Sequence, residues 1–165
     1  LEVYRFEAGR KTLAFLPVDL HNLLQEVVKE LSPLAQDKGL SLELQQQQPI
    51  PSTQISGDRL ELHRLFTNLI GNAIKFTDKG SVTIRLAANP DSHLQVDVID
   101  TGSGISSEDQ ATLFQRFRQG SHKRSGSGLG LYLSRRIVEA HQGTLQVESA
   151  LGKGSTFIAR LPIMK

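Results

Sequence analysis

The sequence predicts an α+β domain, a two-layer α/β sandwich in which a mixed, mostly antiparallel sheet is covered by about three helices on one face. Segments in which apolar and polar residues alternate, as in strands, are interspersed with segments whose apolar residues recur every three to four positions, as in helices. At least two pairs of strands are joined by short, turn-rich connections. The chain has 165 residues, and no internal repeat or linker divides it, so we expect one core.

The first elements are a helix end and a strand. Residues 1–9 read as the last turns of a helix that stops at Gly9, and residues 11–19 alternate as an edge strand that Pro17 ends.

Two amphipathic helices follow, each preceded by an aspartate that can cap it, Asp19 and Asp58. Gly39 closes the first helix, and Pro33 is a candidate for a kink in it. Between them, residues 40–45 alternate as a strand, and the glutamine- and proline-rich stretch that follows predicts a loop up to Thr53. The apolar stripes are Leu20, Leu23, Leu24, Val27, Val28 and Leu31 in the first helix, and Leu62, Leu65, Phe66, Leu69, Ile70 and Ala73 in the second.

The second half predicts a hairpin, two helices and a closing hairpin. In order, these are strands 80–87 and 93–99, a short helix over 106–114, a flexible loop over 120–128, a helix over 129–143 ended by Gly143, and strands 144–150 and 154–162.

Composition excludes several functions. There is no cysteine, which rules out disulfides, thiolate metal sites and cysteine nucleophiles. The formal net charge of +2 is too small to predict nucleic-acid binding, and the aromatic content of 5% does not suggest base-stacking platforms. No apolar run approaches the ~20 residues of a membrane helix, and no signal peptide is visible.

Polar residues interrupt the second helix at regular spacing. Arg64, Asn68, Asn72 and Lys75 fall on one helical face. Asparagine is a poor helix former, but its amide oxygen can ligate Mg²⁺. This face therefore suits a metal-bound polyphosphate, although a solvated helix face is the simpler interpretation when it is taken alone.

A glycine-rich stretch, GSGLGL at 126–131, runs directly into the next predicted helix. It lacks the Lys-Ser or Lys-Thr pair of a Walker A loop, and no strand precedes it as a dinucleotide fingerprint requires. A helix N-terminus of this kind attracts anions, but a flexible loop explains the glycines equally well.

Asp100 continues the spacing of Leu94, Val96 and Val98, so its carboxylate points toward the core just before the turn DTGSGI. A buried carboxylate needs a partner, because an unpaired one is costly. Either it caps the turn that follows or it accepts a hydrogen bond from a ligand.

Five motifs in order carry a family resemblance. HRLFTNLIGNAIKFT resembles the N box of sensor histidine kinases, DTGSGI the first glycine box, LFQRFRQ the phenylalanine box, GSGLGLYLSRRIVEAHQGTLQVES the second glycine box, and GKGSTFIARLP the final strand pair. The resemblance implies the Bergerat ATP-binding fold over residues 11–165, with residues 1–10 as the end of a preceding dimerisation helix or linker.

The resemblance also implies roles for residues of this chain, with ATP and Mg²⁺ as cofactors. Asp100 would accept the adenine amino group, and Asn72 would ligate Mg²⁺. Phe114 and Phe117 would pack between the sheet and the lid, the flexible loop over residues 120–128, and so couple the two. The implied nucleotide-binding residues are Asn68, Asn72, Lys75, Asp100, Gly102, Gly104, Arg116, Arg118, Gly126, Ser127, Gly128, Leu129, Gly130 and Thr156.

One position departs from the family pattern, since Gln119 stands where many members have arginine. Arg116 and Arg118 are the candidates for the γ-phosphate contact in its place. None of the five histidines has the His-Glu or His-Asp context of a phosphoacceptor, and His141 lies near a helix C-terminus, where positive charge is favourable. We therefore expect the acceptor histidine and the general base to lie outside this chain.

The resemblance further implies a dimerisation and phosphotransfer domain in the same protein, a downstream response regulator, a homodimer and a cytoplasmic location, including the cytoplasmic part of a membrane-anchored receptor. Three alternatives stay open at this point. They are a degenerate regulatory nucleotide-binding module, another ATPase of this fold, and a serine kinase of the anti-sigma type; the last two fit the phenylalanine box poorly.

Overall fold

The computed structural model describes residues 12–115 and 129–164. These ranges contain two sheets and four helices. In chain order the elements are β1 (Leu16–Asp19), α1 (Leu20–Asp37), β2 (Ser41–Gln46), β3 (Gln54–Gly57), α2 (Arg59–Phe76), β4 (Ser81–Asn89), β5 (His93–Asp100), α3 (Ser107–Gln110), α4 (Leu129–Ala140), β6 (Thr144–Ser149) and β7 (Ser155–Pro162).

The main sheet has five strands in the order β2-β4-β5-β7-β6. Strand β2 is parallel to β4, and the other three pairings are antiparallel. The predicted mixed, mostly antiparallel sheet is confirmed, and its two hairpins are β4–β5 and β6–β7.

One face of this sheet forms the core with the helices. The alternating residues of β4 and β5 and the apolar stripes of α1 and α2 are buried, although Val28 and Leu31 of the α1 stripe are only partly so. The helices α1 and α2 begin as predicted, because the side chains of Asp19 and Asp58 accept hydrogen bonds from the backbone N–H groups of Asn22 and Glu61. Pro33 lies inside α1, which the structure describes as one helix.

The N-terminal strand differs from the prediction. Strand β1 starts at Leu16 and includes Pro17, and it pairs with β3 in a separate two-stranded sheet. Pro17 is tolerated because, among the described residues, β1 pairs with a strand on one side only. The sequence analysis did not predict β3, whose four residues are too few to show clear alternation.

Two helices are shorter than predicted. Helix α3 ends at Gln110 and is followed by turns, and α4 ends at Ala140 rather than near Gly143. Gln142 has φ of 64°, so the chain leaves the helical conformation before Gly143 is reached. Within the described ranges, no helix combines the length and the apolar character needed to cross a bilayer.

Candidate functional site

Helix α2 carries the predicted polar face. Beside its buried apolar stripe, Asn68 and Asn72 are half-buried and Lys75 is exposed. Arg64 lies one to three turns before them, and its Nη1 is 3.9 Å from Oε1 of the fully buried Glu61. The later part of this face therefore presents two amides and an ammonium group, while Arg64 is directed to a protein carboxylate.

The start of α2 is anchored to the end of α4. The backbone N–H of Asp58 donates to Nε2 of His141 over 3.0 Å, and Nδ1 of His141 lies 2.8 Å from the carbonyl of Ile137. Because Nε2 accepts a hydrogen bond, the ring proton is on Nδ1. His141 joins the start of α2 to the end of α4, the helix C-terminus at which the sequence analysis placed it.

The end of α2 meets the turn that follows β5. A Cβ atom placed on Gly102 would lie 2.5 Å from the carbonyl oxygen of Phe76, the last residue of α2. Only glycine permits this approach without a backbone shift. The close contact places the Asn72–Lys75 end of α2 beside the DTGSG turn, as the predicted site requires.

Asp100 ends β5 on the core face and is only 5% exposed. Its Oδ1 accepts hydrogen bonds from the backbone N–H groups of Gly102, at 2.9 Å, and Ser155, at 3.2 Å. Burial raises the pKa of the carboxyl group, and these two N–H groups partly oppose that rise. The carboxylate thus caps the turn, which was one of the two interpretations, and both of these bonds, which lie within the described part of the chain, end on Oδ1 and not on Oδ2.

The turn itself is bound to the β6–β7 hairpin. The backbone N–H of Gly152 donates to the carbonyl of Ser103 over 2.8 Å, and that of Ile105 donates to Oγ of Ser149 over 2.8 Å. Nε2 of Gln110 donates to the carbonyls of Ile105 and Ser149. The turn after Asp100 is therefore held in place by hydrogen bonds within the protein.

Gly104, another predicted site residue, lies at the hairpin side of this turn. It has φ of +79°, and a Cβ atom there would come within 2.0 Å of the carbonyl oxygen of Ala150. Both glycines of the turn are therefore required by the packing of the protein backbone itself, a reason that the sequence analysis did not identify.

Thr156 does not join the other predicted residues. It pairs with Ile99, whereas Ser155 pairs with Asp100. Because directly paired residues project to the same face of a sheet, Thr156 lies on the face opposite Asp100. The sequence analysis did not name Ser155, whose signal was the alternation with Phe157, Ala159 and Leu161, three buried residues of β7.

The lid region is only partly described. Leu129 and Gly130 are the first residues of α4, and the carbonyl of Gly130 accepts a hydrogen bond from Oγ of Ser134. Phe114 packs edge-to-face on Phe157, with ring centroids 6.3 Å apart, and the guanidinium of Arg135 lies 4.9 Å from the centre of the Phe114 ring. These contacts fit the packing role expected of Phe114. The remaining predicted lid residues, Arg116, Phe117, Arg118, Gln119, Gly126, Ser127 and Gly128, lie outside the described ranges.

A second group of metal-ligating side chains lies between α1 and α2. Nε2 of His63 is 2.7 Å from Oε1 of Glu30 and 3.7 Å from Oε2 of Glu26. The guanidinium of Arg59 bonds both oxygens of Glu26 and lowers the pKa of that carboxyl. His63 precedes Asn72 by nine residues, or about 14 Å along the helix axis, so this cluster is separate from the predicted site.

Comparison with known proteins identifies relatives of this fold. A family model described as "Histidine kinase-, DNA gyrase B-, and HSP90-like ATPase" matches residues 57–165. The signal transduction histidine-protein kinase BarA of Escherichia coli (strain K12) is 39% identical over 165 residues, which cover 95% of this chain and 18% of BarA. The sensor protein GacS of Pseudomonas syringae pv. syringae is 39% identical over 173 residues, covering 100% of this chain and 19% of GacS. The chain thus spans about a fifth of the length of these curated relatives.

Solved structures share the fold. Full-length ShkA, solved in complex with AMPPNP, superposes with a TM-score of 0.86 at 33% identity, over 96% of this chain and 33% of ShkA. The nucleotide-free catalytic domain of the histidine kinase ThkA superposes with a TM-score of 0.79 at 24% identity, over 91% of this chain and 96% of that domain. At 24% identity, the match to ThkA shows a shared fold and nothing more.

Proposed function

Because this chain belongs to the family of histidine kinase-, DNA gyrase B- and HSP90-like ATPases, we propose that it is the ATP-binding catalytic domain of a two-component sensor histidine kinase. In this proposal the domain binds Mg²⁺-ATP and presents the γ-phosphate to a histidine of a dimerisation domain in the same protein. The relatives named as histidine kinases and the ordered motifs support this choice within the family.

The observation that supports the proposal most directly is the burial and hydrogen bonding of the Asp100 carboxylate. Its carboxylate is buried at the sheet edge, and both of its backbone hydrogen bonds end on Oδ1. Oδ2 can therefore accept a hydrogen bond from the exocyclic amino group of adenine. Guanine carries a carbonyl at the equivalent position, which a carboxylate repels, so this site selects adenine nucleotides. ShkA, a structural neighbour, was solved in complex with AMPPNP.

The residues beside Asp100 fit the phosphates and the metal. In the proposal, the amide oxygen of Asn72 ligates Mg²⁺, which takes most of its other ligands from phosphate and water. Asn68 and Lys75 face the phosphates, and the N–H groups at the start of α4, near Leu129 and Gly130, favour an anion. A Mg²⁺ ion held at Asn72 would supply positive charge next to the phosphates.

Residues of the lid complete the proposed nucleotide site. These are Arg116 and Arg118 as candidates for the γ-phosphate contact, and Gly126, Ser127 and Gly128 as the hinge and the approach to α4. Gly102 and Gly104 maintain the turn beside the base. Ser155, rather than Thr156, is on the same sheet face as Asp100, and we include its hydroxyl among the groups that line the base.

The proposed partners follow from the reaction. The phosphate passes to a histidine nitrogen of the dimerisation domain and from there to a response regulator, with the full protein acting as a homodimer in the cytoplasm. His141 is unsuited as an acceptor in this chain, because it is 4% exposed and both ring nitrogens are engaged.

Nucleotide titration tests the binding proposal. Isothermal titration calorimetry of this chain with ATP, ADP and GTP, each with and without Mg²⁺, should show ATP binding that strengthens with Mg²⁺ and GTP binding at least about tenfold weaker. The absence of ATP binding, or equal affinity for GTP and ATP, would contradict the site described above.

Phosphotransfer is tested separately with radiolabelled ATP. The chain alone should stay unlabelled, and the dimerisation domain of the full-length protein, added in trans, should acquire acid-labile phosphohistidine. Strong labelling of the chain alone would refute the assignment of the acceptor to another domain. Normal ATP binding without phosphohistidine in trans would instead indicate a regulatory nucleotide-binding module.

A further inference from the structure

The last turn of α2 is held by a lysine that directly follows α1. Nζ of Lys38 donates to the carbonyl oxygens of Ile74, at 2.8 Å, and Lys75, at 3.1 Å. The final carbonyls of a helix have no partner within the helix, so they need donors from elsewhere. Oγ1 of Thr77 donates to the carbonyl of Ala73 over 2.7 Å, and Nζ of Lys38 donates to the next two carbonyls, those of Ile74 and Lys75.

We infer that Lys38 is a positioning residue for Mg²⁺-ATP: by fixing the C-terminal turn of α2, it sets the position of Asn72 and Lys75 relative to the base-binding turn. This inference rests on the proposed function and adds to it a residue from outside the five motifs.

The geometry of Lys38 suits this role. It follows α1 directly, and its backbone N–H donates to the carbonyl of Ala35 over 3.1 Å. Gly39 then turns the chain with φ of +72°, into β2, which pairs with β4. The backbone of Lys38 is therefore fixed by the end of α1 on one side and by the paired strand β2 on the other. Its ammonium group also carries positive charge at the negative end of the α2 dipole, where a cation is favourable.

The contact acts on one part of the site more than on the other. Asn72 lies two residues before Ile74, and Lys75 contributes one of the two bonded carbonyls itself. Asp100, in contrast, is held by the backbone N–H groups of Gly102 and Ser155, within the turn and the sheet. Loss of the Lys38 contact should therefore loosen the metal and phosphate side while leaving the base side in place.

The test compares Lys38→Met, Lys38→Gln, Lys38→Arg and a control, Lys29→Met, on an exposed lysine of α1. Calorimetry measures the affinity for Mg²⁺-ATP, and an NMR titration with adenosine measures binding at the base side alone. We expect Lys38→Met to weaken Mg²⁺-ATP about three- to tenfold with adenosine binding unchanged. Lys38→Arg, which can donate to both carbonyls, should restore affinity to within about twofold, and Lys29→Met should match the parent.

Each other outcome overturns the inference. Unchanged Mg²⁺-ATP affinity in Lys38→Met shows that the contact does not position the site. Equal weakening of Mg²⁺-ATP and adenosine, or loss of the folded state in both Lys38→Met and Lys38→Gln, shows a general structural role. Failure of the parent chain to bind any adenine nucleotide refutes the proposed function itself. If the parent binds Mg²⁺-ATP and Lys38→Met binds it equally well, only the inference about Lys38 is refuted.

Discussion

Replacing Asp100 by asparagine changes the proposed base contact while keeping the shape of the side chain. The asparagine Oδ1 can still accept from the N–H groups of Gly102 and Ser155, at the positions where the aspartate does so now. The other terminal atom becomes an NH₂ group. Because this group and the amino group of adenine are both hydrogen-bond donors, they cannot bond to each other in the proposed position. The variant should therefore stay folded and bind ATP poorly.

The expected size of the effect follows from the loss of one hydrogen bond to a buried charge. Such a bond contributes about 1.5–3 kcal/mol, which corresponds to roughly 10- to 150-fold in affinity. Asp100→Ala should weaken ATP binding by a few kcal/mol as well, but it also leaves the N–H groups of Gly102 and Ser155 without their acceptor. Each unsatisfied buried donor costs about 1–3 kcal/mol, so only the alanine variant should unfold at a clearly lower temperature.

Calorimetric titration with ATP and GTP, together with thermal unfolding monitored by circular dichroism, measures both quantities. Asp97→Asn is the matched control, because Asp97 is on the same strand with its side chain on the opposite face of the sheet. Parent-like ATP affinity in Asp100→Asn, with the control also unaffected, would refute the assignment of Asp100 to the base.

Asp100→Asn should also change how the melting temperature depends on pH. Burial raises the pKa of Asp100 above its ordinary value of 3.8, so the folded state binds a proton more readily than the unfolded state. The stability linked to this proton is fully present below the ordinary value and is lost as pH rises through the raised pKa. Without nucleotide, the melting temperature of Asp100→Asn minus that of the parent should thus be larger at about pH 7.5 than at about pH 3.5. A difference independent of pH would contradict the described burial.

Two further variants test the rest of the site. Asn72→Ala should abolish the Mg²⁺-dependent part of ATP affinity while the melting temperature stays close to that of the parent, and equal Mg²⁺-ATP affinity in calorimetry would refute the metal role. Gly104→Ala should destabilise the domain by about 2–4 kcal/mol, since the new Cβ has both an unfavourable φ and a clash with the carbonyl of Ala150. Gly152→Ala, with φ of +79° but no atom within 4 Å of the new Cβ, should lose only about 1 kcal/mol, and equal unfolding midpoints in urea for the two variants would argue against the clash.

The sequence by itself determined the layers of the fold and the burial of Asp100. Alternation identified the core face of β5, and because Asp100 continues that face, its burial could be predicted. The caps Asp19 and Asp58 were also predicted correctly, since an N-cap bonds N–H groups only three residues away. These features depend on periodicity and on near neighbours in the chain, which a sequence displays directly.

The tertiary structure decided the features that join distant residues. The pairing of Ser155 with Asp100 joins residues 55 positions apart and places Ser155, not Thr156, on the same sheet face as Asp100. The contact of Lys38 with Ile74 spans 36 positions, and that of Asp58 with His141 spans 83. No local pattern encodes such contacts, because the register between strands and the approach of helix ends follow from how the whole core packs. The residues that hold the site in place therefore became visible only in three dimensions.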